Sequence, residues 1–332
     1  MAQIPGVVNG AESGYAQVFT HLKSAQAAAD QLGDQATVAL IEMLQRLCLS
    51  QARAADARAL STFDHTPQAE PRHQQRAPVA SLAVHLFGPF QAFLNGSPVD
   101  GWRKKSGALF KYLIVHRATP VHRDQLLDVF WPDSDPQSAR NCLNVTLHDL
   151  RRSLEPDGRP SPPAGLIQFA DDRYTLHPDA RVWTDADAFT EHVTQAQVAA
   201  RHGNRADAIA HCEVAVTLYR SDFLEDDRYE DWTTSHRERL RTAYMALLTH
   251  LSQLYFEAGN YPAALDCSRK ILERDNCYED AHCQIMRCHQ ALGQRSLALR
   301  QYLTCRDTLA RELGVPPMAA TTRLYEQIKN GF

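Results

Sequence analysis

Asn141, Asn144, Val145, His148 and Arg152 all fall within the run PQSARNCLNVTLHDLRRSL over 136–154. Their side-chain types suit the reading of base edges in duplex DNA. An Asn pairs bidentately with adenine, an Arg guanidinium with guanine, and a Val meets the thymine methyl. At ~100° per helical residue, Asn141, Val145, His148 and Arg152 point one way, with Asn144 and Arg151 flanking them. An ordinary solvated helix face carries mixed Glu and Lys; this one carries amide, imidazole and guanidinium groups. In the opposite direction Ala139, Leu143, Leu147, Leu150 and Leu154 recur at spacings of four, four, three and four, which stacks them on one side. The run reads as a helix that is apolar behind and polar in front.

Cations near this run are candidates for phosphate contact. Arg103, Lys104 and Lys105 precede an expected helix start, whose free N–H groups also favour anions. Arg140, Arg151 and Arg173 complete the set. Such contacts set position and salt dependence rather than sequence choice. Between 102 and 160 there are ten Lys and Arg against seven Asp and Glu, while the whole chain of 332 residues carries a formal charge of −4. The DNA case therefore rests on pattern, not bulk charge.

The elements that would carry these residues are legible around them. Leu82, Val84 and Leu86 alternate with Ala83, His85 and Phe87 as in a half-buried strand. Asn95-Gly96 supplies a type I′ turn between strands over 90–94 and 97–102. Ser106 is placed to cap a helix containing Leu109, Phe110, Leu113 and Ile114. A second helix over 122–130, with Leu126, Leu127 and Phe130 inward, is stopped by Trp131-Pro132. Ser134 or Asp135 caps the 136–154 helix, with Pro136 in its first turn. Strands over 166–169 and 173–176 then flank Ala170-Asp171-Asp172, a hairpin with its tip near Asp172. Strands, three helices and a hairpin are the order of a winged helix-turn-helix behind an N-terminal sheet.

Further along, Gly203 and Ala208, Gly259 and Ala264, and Gly293 and Ala298 repeat a Gly-x4-Ala pattern, the last two 34 residues apart. That is the tetratricopeptide period. Tyr255, Tyr261, Leu265 and Tyr278 supply large packing residues, and the wider gap after Gly203 implies extra helix over 230–257. The expected fold class is mostly α with a small β component. The expected domains are a helical hairpin over 1–60, a Pro-, Gln- and His-containing linker over 61–80, a DNA-binding domain over 81–178 and a tetratricopeptide-like domain over 179–332.

Other chemistry is weak. Cys277, His282, Cys283, Cys288 and His289 lack a CxxC spacing and read as packing within the repeats. Asp124, Asp128, Asp133 and Asp135 read as caps and exposed helix positions, and His65 and His73 as solvated linker residues. No catalytic residue, metal site or cofactor is expected, and an enzyme is the weakest class. No positive, then apolar, leader opens the chain and no run approaches a membrane span. A cytoplasmic protein without membrane partners is expected, its eight cysteines unpaired.

Three motifs, FGPFQAFLNG (87–96), RKKSGALFKYLIVHR (103–117) and LLDVFWPDSDPQSARNCLNVTLHDLRRSLEP (126–156), resemble the DNA-binding half of SARP-type (Streptomyces antibiotic regulatory protein-like) activators, relatives of the OmpR winged helix. The part from WTDADAF (183–189) through ALRQYLTCRDTLARELGVPPMAATTRLYEQI (298–328) resembles the bacterial transcriptional activator domain that follows in that family. The resemblance covers roughly 82–328 and leaves 1–80 outside the minimal pattern. It implies an activator that binds promoter direct repeats in double-stranded DNA, pairs with a second protomer there and recruits RNA polymerase. No GxxxxGK[ST] motif is present, so the nucleotide-switch domain of larger relatives is absent from this sequence. A second reading stays open on the residues alone: a repeat-based interaction scaffold or effector sensor with little DNA binding.

Overall fold

The computed structural model describes residues 80–154 and 165–331. The hairpin expected over 1–60, almost all of the 61–80 linker and the loop over 156–164 lie outside the described residues.

The chain enters as β1 (Ala80–His85), with Ala80, Leu82 and Val84 buried, and returns antiparallel as β2 (Gln91–Leu94), pairing Leu82 with Leu94. Asn95 and Gly96 sit at φ 52° and 84°, the two positive values that a type I′ turn requires. The next strand is much shorter than the expected 97–102. It is β3 (Ser97–Pro98), after which a single further bond, Val99 N donating to Ala92 O at 2.8 Å, closes the hairpin. Gly101 then turns the chain at φ 75°. Strand β7 (Ala180–Thr184), from beyond the wing, adds itself parallel to β1 and completes the order β3-β2-β1-β7.

Helix α1 (Lys104–Val115) begins two residues before Ser106, so Ser106 does not cap it. Arg103 holds the cap position in extended conformation, and the Ser106 hydroxyl, buried inside the first turn, donates to Arg103 O at 3.0 Å. Strand β4 (Val121–His122) leads into α2 (Arg123–Phe130), where His122 Nδ1 accepts from Asp124 N. Then come α3 (Pro136–Leu154) and the wing strands β5 (Ile167–Ala170) and β6 (Arg173–Leu176). Strand β4 pairs with β6, making the wing a three-stranded sheet in the order β4-β6-β5.

Helices follow in pairs: α4 (Asp185–Arg201) with α5 (Arg205–Leu218), α6 (Asp231–Glu257) with α7 (Tyr261–Arg274), and α8 (Glu279–Ala291) with α9 (Arg295–Glu312). Helix α10 (Ala319–Asn330) closes the array. Gly203, Gly259 and Gly293 turn each pair at φ 72°, 76° and 72°, the left-handed region that favours glycine. Ala208, Ala264 and Ala298 are each fully buried, so the repeated alanine sits where two helices approach closely. Cys283 and Cys288 are buried as packing residues, and among the described residues no cluster could hold a metal ion.

One hydrophobic cluster runs from β1 through the winged helix into the first helix pairs. Asp185, almost fully buried at the start of α4, accepts from Leu86 N at 2.7 Å and Phe87 N at 3.1 Å. Phe87 packs on Phe189 and Tyr219, and a β-bridge joins it to Phe223.

Three imidazoles in the helical part, His192, His236 and His282, are held below the usual value of 6.5, in each case chiefly by burial. His211 adds to the effect on His192, and Arg239 and His116 to that on His236. The unfolded chain takes up these protons near pH 6.5 while the folded chain resists. Their contribution to stability is therefore complete above that pH and declines as pH falls toward the lower folded values. Thermal melts taken from about pH 7.5 down to about pH 5.5 should show a falling Tm. A flat profile would show that these rings protonate without opening the fold.

Candidate nucleic-acid interface

Helix α3 starts where Asp135 stops the preceding turn. Its Oδ1 accepts from Gln137 N at 3.2 Å and Ser138 N at 3.0 Å, and the bonds from Ser138 hold the carboxyl below its usual range. Asp135 is thus the cap of the two residues expected, and Pro136 occupies the first turn, where no N–H is needed. Behind, Ala139, Leu143, Leu147, Leu150 and Leu154 are all buried. In front, Asn141, Asn144, Val145, His148, Arg151 and Arg152 are all exposed, Val145 at 60%. An apolar side chain so open in the middle of a polar face has no folding role to explain it.

The front is also unpaired. Arg140, Asn144, His148 and Arg152 make no hydrogen bond or ion pair among the described residues, and Asn141 only receives a long bond from Gln137 at 3.4 Å. Arg151 leans back to donate to Ile167 O at 3.4 Å, tying α3 to the wing.

Of the three cations expected before the helix, only Arg103 precedes α1, while Lys104 and Lys105 lie in its first turn, and the three separate once folded. Arg103 pairs with Asp149 of α3 at 2.8 Å, which braces the two helices against each other. Lys105 donates to Phe130 O at 2.8 Å and lies over the rings of Phe130 and Trp131. Lys104 is exposed with no partner among the described residues. Sequence spacing does not reveal this, because the partners lie on other helices.

The wing tip has its own logic. Asp171 and Asp172 occupy φ 51° and 58°, left-handed positions that short polar side chains tolerate. Asp172 pairs with Arg123 of α2 at 3.0 Å, and Arg123 N also donates to Asp172 O at 2.8 Å. The acidic tip is therefore turn chemistry tied to α2, and Arg173 beside it stays exposed, with one long bond to Pro120 O at 3.5 Å. Two residues escaped the sequence reading: Gln137 and Ser138, both exposed on the first turn of α3. The signal was their place at the N-terminal end of a helix with a polar front, the end that in helix-turn-helix proteins commonly meets base edges.

Residues 102–167 match the family described as Transcriptional regulatory protein, C terminal, and residues 184–329 match the Bacterial transcriptional activator domain. Regulatory protein DnrI of Streptomyces peucetius is 25% identical over 250 residues, covering 74% of this chain and 92% of that protein. In both modules and in their order this chain is similar to the SARP-type regulators. Transcriptional regulatory protein EmbR of Mycobacterium tuberculosis is 27% identical over 252 residues, which cover 74% of this chain but 63% of EmbR. A solved structure of Mycobacterium tuberculosis EmbR, in complex with a low-affinity phosphopeptide, aligns at a TM-score of 0.65 and 24% identity, covering 76% of this chain and 66% of that one. That likeness is one of fold: a winged helix followed by helical repeats. Among the described residues, no helix is long and apolar enough to cross a membrane.

Proposed function

We propose that this chain is a sequence-specific DNA-binding activator, cytoplasmic, that reads direct repeats upstream of a promoter and contacts RNA polymerase through its helical repeats. One observation carries the reading: the front of α3 is exposed and unpaired while its back is fully built into the core. Asn141, Asn144, Val145, His148 and Arg152 take base edges in the major groove. Arg140, Arg151, Arg173 and Lys104 take phosphates; Arg103 and Lys105, expected beside them, first have to leave Asp149 and Phe130 O. The DNA-binding module runs over 81–178 and the activator module over 179–332, with β7 staying on the first sheet. Two protomers on half-sites about one helical turn apart place both recognition helices on one side of the duplex. The family match favours this reading over a scaffold, and so does the pairing of Asp172 at the wing tip with Arg123.

Footprinting on the promoter nearest its own gene tests the proposal. Protection of two repeats about one turn apart supports it. Absence of both protection and a shifted band at moderate salt returns the scaffold reading. Lys104 gives a second check. Lys104→Ala is expected to weaken binding to every duplex and to lower the slope of log K against log salt by about one unit. An unchanged slope would remove Lys104 from the phosphate contacts.

A further inference from the structure

Where α6, α7 and α8 meet there is a cleft of about 140 Å³, lined by Thr249 and Ser252 of α6, Ser268 of α7, and Asp280, Gln284 and Arg287 of α8. Ile271 and Ala281 supply apolar wall to the cleft, and the polar groups are gathered on the facing surfaces of α6 and α8. Its floor is satisfied internally: Ser252 and Ser268, both fully buried, lie 2.9 Å apart and both donate to Ala264 O. Gln284 is different. It is only 6% exposed, and its Nε2 has no hydrogen-bond partner. A buried amide donor without an acceptor is costly, so the site asks for an acceptor from outside the chain.

Gln284 is flanked along one helical stripe by Asp280, four residues before, and Arg287, three residues after. Both are exposed and neither is in an ion pair among the described residues. The stripe therefore presents, in order, an anion, an amide donor and a cation. At 1.5 Å per residue its ends lie about 10 Å apart, and an extended peptide advances roughly 3.3–3.6 Å per residue. We propose that this cleft binds a short zwitterionic peptide of two or three small residues. Its ammonium group faces Asp280, its carboxylate meets Arg287, and a peptide carbonyl accepts from Gln284 Nε2 once that side chain turns toward the cleft, the nitrogen being sealed from solvent in the unliganded chain. The small volume over the serine floor excludes bulky side chains.

Calorimetry on the full chain tests this with tri-alanine and with its N-acetylated, C-amidated form, which has the same carbonyls but no charges. Tri-alanine is expected to bind and to raise Tm, and the blocked peptide to bind at least tenfold more weakly. Asp280→Asn and Arg287→Gln, both at exposed positions, should each weaken tri-alanine at least tenfold with the ligand-free Tm unchanged. Gln284→Leu should fold and lose the ligand. No heat and no Tm shift with millimolar tri-alanine would overturn the proposal and leave Gln284 to a bound water. Equal binding of the blocked peptide, or full affinity in the charge variants, would overturn it too.

Discussion

Arg152→Ala and Asn141→Ala are each expected to lose about 1–3 kcal/mol on the operator, roughly 5- to 150-fold in affinity, and very little on random duplex. Both side chains project from the exposed front of α3, and neither supports the fold. Alanine is the best helix former, so the substitutions leave the helix and its buried leucines in place. Stability should accordingly stay at wild-type level. Leu147→Ala makes the opposite control: its side chain is buried against the core, and truncation should cost about 2–5 kcal/mol of folding stability. Competition binding at one fixed salt concentration, on operator and scrambled duplex in parallel, separates the outcomes. Equal loss on both duplexes would mean that Asn141 and Arg152 touch only phosphates.

The two-sided character of α3 was plain in the sequence because burial on a helix has a short period that neighbouring residues report together. The Gly-x4-Ala repeats were readable for a related reason: a left-handed turn and a close helix approach each restrict a single local residue type. What the sequence concealed depends on partners far along the chain. Strand β7 looks like a connector until β1, about a hundred residues earlier, offers it a parallel edge. Asp185 resembles a helix-capping residue in WTDADAF, yet its carboxylate serves the N–H groups of Leu86 and Phe87. Ser106 had the right type for a cap, but the backbone was already helical at Lys104. Arg103, Lys104 and Lys105 looked equivalent until folding gave two of them partners, Asp149 and Phe130 O. Charge runs show how many cations exist, and only tertiary contacts show which remain for DNA.

Lys111→Met is expected to destabilise the protein by about 3–5 kcal/mol, a large effect for one surface-type residue. Lys111 belongs to α1 of the winged helix, but its Nζ reaches Asp227, in the 3₁₀ turn between α5 and α6, at 2.5 Å. The two side chains are only 11% and 17% exposed, and the ammonium also lies 4.7 Å from the Phe90 ring centre. Removing the cation leaves a carboxylate with poor access to water at the junction. The same junction is held by Leu224 N donating to Leu86 O, just after β1, at 2.8 Å. Lys111→Met combined with Asp227→Leu removes both charges, and exchanging a buried ion pair for apolar groups is often neutral or stabilising. The double variant should therefore recover most of the loss in denaturant titrations. Recovery in stability together with wild-type affinity for the operator would show that the pair glues the modules without tuning them. Recovery in stability with altered affinity would show that the pair also sets how the winged helix is presented to DNA. A single-variant loss below about 1 kcal/mol, the range of exposed ion pairs, would mean that water already reaches Asp227 and that the apolar contacts around Phe87 hold the junction alone.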